Sequence, residues 1–107
     1  MDAATFVGNW VDLKSDLLSV FMGEQGESVI ATQIGNMALT VDQTEQLRNV
    51  LDGVLRDAMC SLLLGLDGAS GIGRDQQVFQ ILDERGMAVS SCGELEAEAW
   101  KRFHAVP

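Results

Sequence analysis

The chain has 107 residues, 47% of them hydrophobic and 21% charged, with sixteen acidic against seven basic side chains and a formal charge of -9. Such a composition is too apolar for a disordered chain, and the length suits one domain around one core. The negative field repels phosphate backbones and anionic lipid, so neither nucleic acid nor membrane is expected as a partner.

The opening "MDAATFVGNWVDLK" has an acid where a secretory leader needs a base, and its apolar residues are spaced, so no signal peptide is expected. Phe6, Trp10, Leu13, Leu17 and Phe21 recur every three or four residues, which predicts a first helix over about Thr5 to Met22. Gly23 and Gly26 should end it. Ser28 to Gln33 is ambiguous: Val29 and Ile30 favour extended structure, and Gly35-Asn36 interrupts a helix, so a short strand is one reading and a loop the other.

A second, long helix is predicted after Leu39. Thr40 and Gln43 have the spacing of a capping box, and Asp42 with Glu45 offers a second register of the same device. Leu47, Val50, Leu51, Val54, Leu55, Ala58, Met59 and Leu62 then form a stripe expected to be core; on that reading Leu55→Ala costs about 2 to 5 kcal/mol. The most apolar piece, "AMCSLLLGL", is far short of the roughly 20 residues that cross a bilayer. The helix should stop at Asp67-Gly68.

Gly68, Gly71 and Gly73 follow a helix and precede an extended run, the reverse of the order that cradles phosphate at a helix amino terminus. That segment reads as a connection. Val78 to Leu82 and Met87 to Ser90, joined by Asp83-Glu84-Arg85-Gly86, predict an antiparallel hairpin. A third helix follows, with a capping box from Ser91 to Glu94, a buried stripe of Leu95, Ala99 and Phe103 with Trp100 beside it, acids in its first turns and Lys101 and Arg102 in its last. The fold class expected is therefore α+β: one domain over residues 1–107, in which a long central helix packs with two others and a small hairpin.

Chemistry-bearing residues are few. His104 is the only histidine and lies near the carboxyl terminus, which suits no Ser-His-Asp or Cys-His arrangement. Cys60 and Cys92 are too few for a disulfide framework and have no metal-ligand spacing, so no metal and no cofactor are expected and a reduced cytoplasmic setting is. Cys92 stands at the start of the third helix, whose dipole favours a thiolate while Glu94, Glu96 and Glu98 oppose it. The turn acids Asp67, Asp75, Asp83 and Glu84 read as caps and solvated charges rather than as a general acid and base.

The segments "SLLLGLDGASGIG", "LDERG" and "CGELEAEAW", spread over Ser61 to Trp100, resemble stretches of small acidic bacterial proteins, some of the toxin-immunity type. The resemblance carries over no catalytic residue. Joined to the charge, it implies a non-enzymatic module that masks a basic protein partner, as an immunity protein or inhibitor does. The partner-binding residues on this reading are Asp67, Arg74, Asp75, Asp83 and Glu84, presented from the loop and the hairpin tip. The alternative is a structural or adaptor subunit that forms a homodimer through exposed faces of the first and third helices, with Trp10 or Trp100 as anchor.

Overall fold

Three of the four helices begin where a side chain accepts from a backbone amide of the first turn. Asp2 accepts from the Thr5 amide at 2.8 Å and starts α1, Ala3–Phe21. Ser28 accepts from Ala31 and starts α2, Val29–Asn36. Thr40 and Gln43 form the reciprocal capping box of α3, Val41–Leu66. The last helix is α4, Glu94–Phe103. The computed structural model describes residues 1–91 and 93–104.

Two of the helix stops share one device. Met22 caps α1 and Gly23 takes the left-handed conformation, with Gly23 N–H on the Val20 carbonyl and Glu24 N–H on that of Ser19. Asp67 and Gly68 repeat it at the end of α3, where Gly68 N–H reaches Gly65 and Ala69 N–H reaches Leu64. Both are Schellman motifs, in which a positive φ turns the chain back on its orphan carbonyls. The stop at Asp67-Gly68 lies where the glycine signal puts it.

The core sits at one end. Ala3 and Val7 of α1, Met59, Cys60 and Leu63 of α3, and Leu95, Ala99 and Phe103 of α4 are buried together, with Phe6, Trp10, Leu17 and Ile81 packed against them. The α4 set has the i, i+4, i+8 spacing that the sequence shows, and Lys101 and Arg102 complement its carboxyl end. Toward the other end, around α2, only Leu18 is fully enclosed, and no residue of α2 is buried. The molecule measures 47 × 32 × 25 Å.

The expected α+β architecture is not what forms: the described residues hold four helices and no sheet. The turn of the predicted hairpin is present, with Gly86 at φ +80°, Gly86 N–H on the Asp83 carbonyl and Asp83 N–H on that of Met87. Its flanks pair at a single bridge, Leu82 with Ala88. An isolated two-stranded ribbon is marginal in water, and here Val78 (92% exposed), Phe79, Leu82 and Met87 face solvent, while Ile81 packs against the helical core and Val89 is buried. Burial on helices outweighs ladder formation.

Three smaller expectations are corrected. Ser28 to Gln33 is neither strand nor loop: Ser28 is a helix cap, and Thr32 continues the turn through the Ser28 carbonyl. The capping residue of α4 is Gly93 at φ +89°, two positions after the expected Ser91, while the Glu94 carboxylate still accepts from the Ser91 amide at 3.1 Å, so half of the expected box survives. Finally, Val50, Val54, Ala58 and Leu62 are exposed and Leu47, Leu51 and Leu55 are half-buried, so of the long apolar stripe only Met59 is buried, and α3 gives the core Met59, Cys60 and Leu63.

Candidate functional site

Asp83 organises the segment between α3 and α4. One carboxylate oxygen accepts from the backbone amides of Arg85 (2.9 Å) and Met87 (3.1 Å), and the other accepts from the amino terminus of Met1 at 2.8 Å. The hydrogen bond from the ammonium, followed by that from Met87, holds the Asp83 carboxyl below its ordinary range, and the same contact raises the amino group. Asp2, next along the chain, is also lowered, chiefly by its hydrogen bond from Thr5.

These contacts place four carboxylates around one open cleft of about 1070 Å³. Asp2, Asp83, Glu84 and Glu94 line it with Arg85, over apolar side chains that include Phe6, Ile81, Leu82 and Met87. Glu84 is exposed and takes part in no ion pair or side-chain hydrogen bond among the described residues. The lining is mixed, with carboxylates beside apolar side chains. It suits a basic side chain whose stem lies on hydrocarbon while its head meets carboxylate.

The five residues singled out in the sequence do not form one surface. Asp67 is the cap of α3, and its carboxylate accepts from the Glu96 amide at 3.1 Å, so it docks the first turn of α4 onto the end of α3. Arg74 and Asp75 stand on a separate tight turn, closed by the Ile72–Asp75 bridge and by Gly73 at φ +73°, and both are exposed. That turn is held back toward α3 by Gln76, whose side chain donates to the Gly68 carbonyl at 3.3 Å. Asp83 and Glu84 alone share the cleft, and Asp83 is committed to its turn.

Asp2 and Glu94 are the cleft residues that sequence reasoning passed over. Asp2 carried a legible signal, an aspartate three residues before Thr5 at the head of an amphipathic run. Its neighbourhood to residue 83 has no local signal at all, because it depends on the packing of α1 against α4 and the turn.

Elsewhere the chemistry is sparse. Among the described residues, no group of three or more His, Cys, Asp or Glu side chains is arranged to hold a metal ion. Cys60 is buried in the core, and desolvation, with Asp57 nearby, pushes its thiol up. Cys92 lies outside the described residues. Trp10 is half-buried and tilted against Phe6, with ring centroids 5.9 Å apart, which leaves it a packing residue. Trp100 is exposed and lies 5.0 Å from the His104 ring. No helix among the described residues is long and apolar enough to cross a membrane. Comparison with known protein families, with curated proteins and with solved structures finds no match to the chain.

Proposed function

We propose that the protein is a non-catalytic, acidic binding module that masks a basic surface on a protein partner, in the manner of an immunity protein or an inhibitor of a basic bacterial effector. The observation that carries this reading is the cleft: four carboxylates, Asp2, Asp83, Glu84 and Glu94, against Arg85 and the amino terminus, beside apolar side chains. The charge of -9 adds long-range attraction to a basic protein and accelerates encounter. Within the cleft Glu84 is the rim charge, free to meet a lysine or arginine, while Asp83 keeps the turn in shape.

The test is capture of partners from the native host, followed by association kinetics of the captured protein at two salt concentrations. Glu84→Lys should slow association and flatten its salt dependence with dissociation nearly unchanged, the pattern of a rim charge. Asp75→Lys, on a turn that does not line the cleft, should leave the rate within about twofold. Association indifferent to salt and to Glu84→Lys, or capture of nothing but further copies of the chain, overturns the proposal.

A further inference from the structure

A second surface, on a different part of the molecule, has a different character. Successive residues of a helix are rotated by about 100°. On that wheel Leu47, Val50, Leu51, Val54, Ala58 and Leu62 of α3 fall within an arc of about 120°. The charged residues of this helix, Asp42, Glu45, Arg48, Asp52, Arg56 and Asp57, all lie outside the arc. Two of them show which side α1 takes: Lys14 pairs with Asp52 at 2.9 Å, and Arg48 pairs with Glu24. The uncharged arc therefore points away from α1. It is open, with Val50 59% and Val54 56% exposed and Leu62 and Ala58 exposed beside them.

An amphipathic helix with an uncovered apolar face is incomplete as a monomer. The chain as a whole is also more exposed than a compact monomer. The accessible area is 7322 Å², whereas a folded monomer of 11.6 kDa is expected to expose about 5,800 Å². The radius of gyration is 16.2 Å against about 13 Å for a compact chain of this length. The excess, roughly 1,500 Å² over the whole chain, is shared by this face with the α2 end and the segment around Val78 and Met87; a standard interface needs about 800 Å² from each partner, about half of that excess.

We infer that this face of α3 is the interface of a homodimer, in which α3 of one copy lies along α3 of a second. Two chains of charge -9 repel except where neither presents charge. The arc meets that condition: its remaining positions are Gln43, Thr44, Ser61 and Gly65, the last already covered by Ile72. Val54 and Ala58, beside the midline of the arc, are small, with Leu47 and Leu51 flanking them, so two helices can interlock there. A twofold arrangement needs only this one patch, used by both copies, and leaves the acidic cleft of each free for another partner.

Sedimentation equilibrium of the full chain tests the inference. The parent should have twice the 11.6 kDa chain mass, and Val54→Glu, which places two carboxylates in the interface, should raise the dissociation constant by more than about 100-fold. Val54 is exposed in the single chain, so the variant should keep its helical circular dichroism. As a second readout that needs no disruption, Val54→Cys should cross-link between copies with a short bis-maleimide, while Val41→Cys, exposed on the other side of α3, should give no more than the parent. A parent that stays monomeric, or a dimer unaffected by Val54→Glu, overturns the inference.

Discussion

Replacing Leu63 by Ala probes the organisation of the core most directly. Leu63 is 0% exposed and sits among Val7, Cys60, Leu95, Ala99 and Phe103, contributed by three helices. Removing its outer carbons loses about 2 kcal/mol of transfer free energy. The three helices that meet there cannot all move inward, so the residual cavity adds to this and the total is about 3 to 5 kcal/mol. For a chain of this size that corresponds to a fall in Tm of roughly 15 to 30 °C. Leu55→Ala is the internal control: Leu55 shares the periodic stripe but is half-buried, and its replacement should cost about 1 kcal/mol. Urea unfolding followed by circular dichroism, at one fixed protein concentration because self-association would couple to stability, measures both. Equal losses for the two variants would refute a core confined to the α4 end.

Two further outcomes follow from local geometry. A Cβ on Gly65 would run into the side chain of Ile72, although its distance from the Ile72 Cβ itself is an ordinary 3.6 Å, so Gly65→Ala should lower the Tm of the parent but raise that of Ile72→Ala through the helix-propensity gain of about 1 kcal/mol; the same sign in both backgrounds contradicts this. Asp83 has its folded pKa lowered, so its pairing contributes above the unfolded value near ~3.9 and is lost as pH falls through the folded one, while the raised amino terminus contributes below ~8 and its share is lost as pH rises through its own folded value. The Met87 amide shift should therefore be flat between about pH 4 and 8 and move on the acid side, with Asp83→Asn abolishing the movement; an unmoved Met87 in acid refutes the contact.

Where local signals agreed with burial, the sequence was readable. The Thr40–Gln43 box, the glycine at Gly68 and the Leu95, Ala99, Phe103 spacing each rest on contacts within a few residues, and each appears where those residues put it. α2 was missed because Val29 and Ile30 carry strand propensity, while the Ser28 cap, a weaker local signal, decides the conformation. The hairpin failed for the opposite reason: its turn chemistry was right, but a ribbon needs a third strand or a packing face, and Ile81 packs on the helices instead. The stripe of α3 was read as one buried face because periodicity reports that a face is apolar and does not report which chain covers it. Of the acidic site, Asp83 and Glu84 were visible as a turn, whereas their meeting with Asp2 and Glu94 is a product of tertiary packing.

The meeting of α1 with α4 bears on the order in which the molecule can assemble. These are the first and last helices of the described chain, and they pack on each other as well as on α3. Val7 is sealed only once Leu95 and Phe103 arrive, some ninety residues later. During synthesis α1, α2 and α3 can coil early, since each has its own cap, but the surface they share stays wet until the final helix has emerged. Closing a loop of that length carries an entropic cost that local helix formation does not, so the core is completed only by a long-range contact between α1 and α4.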